Sequence, residues 1–86
     1  MQLKDGFILR TVAGEHVVVP SGEDLNLNMM ITLNETGKLL WEELSQGAEE
    51  ETLVALLLQE YDVEERTARE HVARFIGKMR ENGFLK

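Results

Sequence analysis

The stretch LNLNMMITLNETGKLLWEEL, residues 25–44, contains the change of pattern that decides the fold. Apolar residues occupy every second position from Leu25 to Leu33, which is the period of a β-strand with one buried face. Beyond Asn34 the apolar residues recur at the spacing of a helix. The sequence therefore predicts that a strand ends, and a helix begins, within LNETG.

The residues around this junction predict how the helix starts and what it packs against. Asn34 is a favourable N-cap, and Glu35 would meet the positive end of the helix dipole. Thr32 and Glu35 also have capping-box spacing, which would start the helix two residues earlier. A glycine costs a helix about 1 kcal/mol relative to alanine, so Gly37 predicts close packing against the backbone. The predicted buried face consists of Gly37, Leu40, Trp41 and Leu44.

Two further strands are predicted before this stretch. FILRTV (residues 7–12) and HVVVP (residues 16–20) are rich in β-branched residues, and Gly14 in the loop between them favours a hairpin. The third strand would follow the alternation in 25–33, with residues 28–33 fitting a regular strand best.

Two more helices are predicted after Gly47 interrupts the first. The second begins in a run of three glutamates, and its wide apolar stripe predicts a helix held between two neighbours. Asp62 and Glu65 match a capping box for the third helix, which would stop at Asn-Gly, residues 82–83. Its predicted core face consists of Ala68, Val72, Phe75, Ile76 and Met79.

The predicted order is β-β-β-α-α-α, with the strands and helices segregated along the chain. This is an α+β, winged-helix-like fold in which a three-stranded antiparallel sheet packs on three helices. The chain of 86 residues contains no repeat and no linker, so residues 1–86 are predicted to form a single domain.

The composition narrows the classes of function. There is no cysteine, which excludes a disulfide framework, a thiolate zinc site and a cysteine nucleophile, and favours a cytoplasmic location. No signal peptide or membrane-spanning run is visible. The net charge of −7 argues against nucleic acid as a partner. Residues 64–86, with six basic and four acidic side chains, are the only positive part of the chain.

The sequence offers little for catalysis. The two histidines, His16 and His71, belong to no metal-binding cluster, and no glycine-rich phosphate loop is present. Ser21 and Ser45 lie in turn sequences rather than beside a base. We therefore expect no enzyme activity, no metal and no cofactor.

Binding is the better class of function. A three-stranded sheet has two edges, and a third strand at an edge would leave backbone groups free to pair with an incoming strand. Met30, the one apolar residue on the polar face of that strand, would either fill a side-chain pocket or simply cover the sheet.

The third helix would supply a second wall of the binding site from one of its two flanks. One flank holds Arg69, Ala73, Ile76 and Arg80, and the other holds Thr67, His71, Arg74 and Lys78. Basic margins beside an apolar groove would favour an amphipathic, acidic peptide.

The pattern HVVVP…MMITLNETGKLLWEELSQG…EEETLVALLLQEYDV…AREHVARFIGKMRENGFL resembles the PqqD family over residues 16–85. PqqD proteins are small peptide chaperones of pyrroloquinoline quinone (PQQ) biosynthesis and related peptide-modification pathways. The LNETG…W form resembles the broad PqqD-like group rather than the PQQ-pathway members themselves. The resemblance implies a recognition element for ribosomally made precursor peptides, which binds the leader by strand addition and presents it to a radical SAM maturase. It implies a docking strand at Asn28, Met29, Met30, Ile31 and Thr32. It implies a helical wall within residues 67–76, where the candidate contacts are Thr67, Arg69, His71, Ala73, Arg74 and Ile76.

Two other functions remain open at this point. A winged-helix DNA-binding module would place the third helix in the major groove, although its basic residues point in several directions and its glutamates oppose phosphates. A structural subunit would use the same strand edge on a second copy of itself, giving a weak homodimer rather than a monomer.

Overall fold

The computed structural model describes residues 1–20 and 30–86. Three antiparallel strands form one sheet in the order β1-β2-β3. The strands are β1 Phe7–Val12, β2 Glu15–Pro20 and β3 Ile31–Leu33. The helices follow as α1 Glu35–Ser45, α2 Glu50–Glu60 and α3 Glu65–Glu81. The predicted α+β order of three strands followed by three helices is therefore confirmed. Residues 25–29 of the predicted third strand lie outside the described residues, and β3 is described from Ile31.

The β1–β2 hairpin closes through a tight turn in which two residues take positive φ. Val12 pairs with Glu15, so Ala13 and Gly14 alone form the turn, with φ angles of 52° and 82°. Two successive left-handed residues match the right-handed twist of the flanking strands. The sequence predicted this freedom for Gly14, whereas the strain at Ala13 was missed.

Asn34 caps the N-terminus of α1 at its junction with β3, as predicted. The Gly37 amide donates a hydrogen bond of 2.7 Å to Asn34 Oδ1. The alternative capping box through Thr32 is wrong, because Thr32 is part of the strand. A methyl group on Gly37 would lie 3.2 Å from Asn34 Oδ1 and 3.3 Å from Leu33 Cβ. The prediction of close packing at Gly37 is therefore confirmed.

Two details of the other helices differ from expectation. The capping box from Asp62 is wrong, because α3 begins at Glu65 after Glu64, which makes no side-chain cap. The apolar stripe of α2 is narrower than predicted, since only Leu53, Val54 and Leu57 are buried. Leu58 and Tyr61, at one edge of the stripe, are 39% and 38% exposed. Within the described residues α2 packs mainly on α3.

The hydrophobic core lies between the sheet, the three helices and Phe84 near the C-terminus. The buried face of α3 consists, as predicted, of Ala68, Val72, Phe75, Ile76 and Met79. Gly83, with φ 75°, ends that helix and lets the Phe84 amide donate 2.9 Å to the Met79 carbonyl. Phe84 is fully buried, with its ring edge-to-face on Phe7 and Trp41 at centroid distances of 4.6 and 5.6 Å.

The first residues of the chain also pair with the last ones. Leu3 forms an antiparallel bridge with Leu85, and the Lys4 amide donates 2.7 Å to the Phe84 carbonyl. No sequence pattern predicts this pairing, because a bridge of single residues has no period. In 1–20 and 30–86, no helix combines the length and the apolar character that a membrane crossing requires.

Replacing Ala13 with asparagine is expected to stabilise the protein. Asparagine tolerates the left-handed region better than alanine, whose Cβ is crowded there, so we expect a gain of about 0.5–1 kcal/mol. Urea unfolding of Ala13→Asn against wild type measures the change. Val12→Asn, one residue earlier and still in the strand, is the control; an equal gain in both variants would contradict the explanation.

Removing the α1 cap is expected to destabilise the protein by about 1 kcal/mol. Asn34→Ala deletes the acceptor of the Gly37 amide, whereas Asn34→Asp retains an oxygen at the same position. Thermal unfolding should separate these two variants, with Asn34→Asp close to wild type. Equal losses in both would show that the cap contributes nothing at this junction.

Candidate functional site

One edge of β3 faces away from the rest of the sheet. The strand is last in the sheet order, and its described residues pair with β2 through Val17↔Thr32 and Val18↔Ile31. The Thr32 carbonyl oxygen lies 3.5 Å from Lys78 Nζ on α3, so this carbonyl points away from β2. The N–H and C=O of one residue in an antiparallel strand point the same way. Thr32 therefore presents both backbone groups at the outer edge.

A groove of about 470 Å³ lies between this edge, α1 and α3. Its floor is apolar and is made by Leu33, Gly37, Leu40 and Phe75. Thr32, Asn34 and Thr36 line the side formed by β3 and the start of α1. The opposite wall is a row of exposed basic side chains on α3: His71, Arg74 and Lys78. We call this surface the β3–α3 groove.

Two other arginines of α3, Arg66 and Arg69, differ from the basic row in their partners. Arg69 donates to both oxygens of Glu51, at 2.6 and 3.0 Å, and to Glu65 at 2.9 Å. These bonds raise the pKa of Arg69 above its ordinary value and lower that of Glu51. Arg66 pairs with Glu70 at 3.4 Å. Considering only the described carboxylates, none lies within salt-bridge distance of Arg74 or Lys78.

The structure brings one of the two predicted flanks of α3 to the groove. His71 and Arg74 line the groove itself. Thr67 lines a smaller cavity of about 100 Å³, which shares Thr36 and His71 with the groove and has Leu57, Tyr61 and Val63 in its wall. The flank that begins at Thr67 is therefore the one beside β3.

The remaining predicted residues lie elsewhere or are only partly described. Arg69 and Ala73 line a separate depression with Glu50 and Glu65, away from β3. Ile76 is 5% exposed and belongs to the core.

On the strand, Met30 is exposed, Ile31 is half-buried against the core, and Thr32 lies at the groove. Asn28 and Met29 fall outside the described residues.

Seven of the residues that line the groove were missing from the predicted site: Leu33, Asn34, Thr36, Gly37, Leu40, Phe75 and Lys78. Lys78 was predicted on the flank that lies beside β3 but not in the site. Its spacing of four residues from Arg74 and seven from His71 puts all three on one helix row, so helical geometry would have found it. The floor residues Leu40 and Phe75 were assigned to the core alone. Helical spacing predicts that a residue is buried, but it does not indicate whether that core residue also lines a groove.

A buried histidine links the sheet to the start of α1. His16, in β2 opposite Leu33, is 7% exposed. Its Nε2 lies 2.7 Å from Glu35 Oε1, and its Nδ1 lies 2.9 Å from Thr11 Oγ1. A carboxylate only accepts, so Nε2–H donates to Glu35, and in the neutral ring Nδ1 accepts the Thr11 hydroxyl. The hydrogen bond from His16 and the electrostatic attraction of that ring when protonated, with a smaller effect of Lys38, lower the pKa of Glu35.

The site contains no arrangement that resembles a metal centre. Groups of three or more histidine, aspartate or glutamate side chains that could hold an ion are absent from 1–20 and 30–86. The chemistry available in the groove is therefore hydrogen bonding from an open strand edge, apolar contact with the floor and attraction from the basic row.

Three antiparallel strands followed by three helices, with an open strand edge beside an amphipathic helix, form a small α+β domain. The family model for coenzyme PQQ synthesis protein D (PqqD) matches residues 15–85, and the chain belongs to this family. The PqqD resemblance stated from the sequence is thereby confirmed.

Two solved structures share the fold. One is described as "TbiB1 in Complex with the TbiA(beta) Leader Peptide"; it is 20% identical, with a TM-score of 0.81 over 100% of this chain and 95% of that chain. The other is described as "Lasso peptide synthetase B1 complexed with the leader peptide"; it is 22% identical, with a TM-score of 0.76 over 96% of this chain and 93% of that chain. A comparison with curated proteins finds no match.

The Glu35 contact predicts an acid-dependent loss of stability. The pKa of Glu35 is lower in the folded protein than its ordinary value of 4.5, so its stabilisation is complete above that pH. It is lost as the pH falls through the lowered pKa. Thermal midpoints of Glu35→Gln and wild type should therefore differ at neutral pH and converge in acid. Glu81→Gln, at the far end of α3, is the control; a constant difference for Glu35→Gln would contradict this role.

Proposed function

We propose that the protein binds the leader of a ribosomally made precursor peptide by strand addition to β3. The observation that carries the proposal is the outward-facing backbone of Thr32 at the mouth of the apolar β3–α3 groove. An added strand would hydrogen-bond to this edge while its side chains enter the groove. Membership of the PqqD family supports the proposal, as do two neighbours of the same fold whose descriptions name leader peptides.

The proposed site combines a strand and one flank of a helix. The strand part is Asn28, Met29, Met30, Ile31 and Thr32. The helical part is Thr67, His71 and Arg74, with Lys78 added because it lines the same wall. Arg69, Ala73 and Ile76 are left out, since the first two lie on the other flank and the third is in the core.

The proposed role is that of a non-catalytic chaperone. Residues 1–86 form a single peptide-recognition domain that holds the leader and presents the rest of the precursor to a radical SAM maturase. Strand addition suits this role, because main-chain bonds recognise an extended leader without enclosing the segment to be modified. We place the protein in the cytoplasm, where precursor peptides are made, in keeping with its lack of cysteine.

The DNA-binding alternative is disfavoured by the charges on α3. Arg66 and Arg69 are paired with glutamates, and the net charge of the chain is −7. A helix inserted into the major groove needs cations free to meet phosphates on both sides. Absence of a gel shift at low salt would dispose of this alternative.

Strand addition predicts that Thr32→Pro abolishes leader binding. Proline removes the outward N–H of Thr32, and its ring obstructs an incoming strand, while the pairing of Ile31 and Leu33 with β2 stays intact. Thr32→Val retains the N–H and is the matched control. NMR titration of each variant with the leader of the cognate precursor measures affinity, and the spectrum of the free variant shows whether the fold is kept.

Hydrogen exchange gives a second measurement on the unaltered protein. We expect the Thr32 amide to exchange faster than those of Ile31 and Leu33 when the protein is free, and to become protected when the leader is bound. Unchanged exchange at Thr32 in a saturated complex, or undiminished leader binding by a folded Thr32→Pro variant, would rule out strand addition at this edge.

A further inference from the structure

The contact between Lys78 and Thr32 joins an exposed cation to the backbone group that strand addition needs. The bond is long, at 3.5 Å, and it is exposed. An added strand would offer Thr32 a main-chain N–H at about 2.9 Å instead. Both donors approach the outer side of one carbonyl, so the incoming strand would replace the ammonium group. A displaced lysine beside an apolar groove would then lie against the bound peptide.

We propose that Lys78 shields the edge of β3 in the free protein and, when displaced, pairs with a carboxylate of the peptide, so that the site selects leaders with two acidic residues in alternate positions. The second carboxylate pairs with Arg74. This inference rests on the proposed function and specifies the peptide chemistry that the same groove recognises.

Helix and strand geometry set the spacing of the two acidic residues. Arg74 and Lys78 are four residues apart, which is about 6 Å along the axis of a helix. Side chains on one face of a strand recur every second residue, about 6.6 Å apart. A peptide that follows α3 therefore brings residues i and i+2 to the two cations. Residues i and i+1 point to opposite faces and cannot meet both.

The distribution of charge makes this pairing selective. The chain as a whole repels an acidic peptide, with a net charge of −7. Arg66, Arg69 and Lys38 are each held by a glutamate of the protein, at 3.4, 2.6 and 3.8 Å. At physiological salt, charges more than about 8 Å away are largely screened, so the nearby Arg74 and Lys78 dominate within the groove. An acidic peptide is therefore attracted to the β3–α3 groove and repelled by the acidic surfaces of α1 and α2.

The test is a selection from a displayed library of randomised linear peptides on the immobilised full chain. Peptides that shift the amide resonances of Ile31, Thr32 and Leu33 are expected to carry aspartate or glutamate at two alternate positions. Peptides that bind this edge without such a preference would overturn the inference and leave the proposed function standing. If no selected peptide shifts these amides, strand addition itself fails and the inference falls with it.

Two variants of the protein identify the cation. Lys78→Met is expected to weaken a selected acidic peptide about 2- to 5-fold, as an exposed ion pair allows. The copy with glutamine at both positions should not be weakened, because it gains no ion pair from Lys78 and no longer has to displace the ammonium group. Arg66→Met removes the same charge from a side chain already paired with Glu70 and outside the groove, so it should leave both affinities unchanged. Equal effects of the two variants, or an equal loss for both peptides, would overturn the role of Lys78.

Discussion

The hydrogen bond from the Gly37 amide to the Asn34 side chain is the constraint on which the geometry of the groove depends. It ends β3 at Leu33 and starts α1 two residues later, leaving no slack between strand and helix. Gly37 is in contact distance of Leu33, so the helix packs directly on the end of the strand. His16, on β2, also stabilises the junction through its hydrogen bond to Glu35 in the first turn of α1. Because β3 is held this closely to α1 at its C-terminal end, the position of its outer edge relative to α3 is fixed.

Arg66 and Arg69 differ in physical role from the basic row of α3. Arg66 and Arg69 are bound to glutamates of α2 and α3, where exposed pairs contribute modestly to stability. His71, Arg74 and Lys78 form the row beside the groove, where a charge is more useful for attracting and orienting a partner. One helix thus provides a packed core face, a self-paired flank and a flank turned toward the open strand.

The strands and helices were predictable because their periods are strong. Alternation before Asn34 and helical spacing after it predicted the sheet, the cap and the five buried residues of α3. The left-handed Ala13, the start of α3 and the bridge between Leu3 and Leu85 were not predictable, since each depends on tertiary packing rather than on local pattern. For the candidate site, the sequence predicted β3 and α3 as its two walls but did not decide between the flanks of α3. That choice depends on how the helix is rotated about its axis against β3.

The position of Lys78 also affects how one copy of the protein meets another. An open strand edge invites pairing with any exposed strand, including the same strand of a second molecule. Joining two β3 edges around a twofold axis would bring the two Lys78 ammonium groups together beside an apolar surface, where like charges repel. The side chain that covers the Thr32 carbonyl therefore disfavours self-association at the edge, and it does so while leaving that edge accessible to a chain of opposite charge.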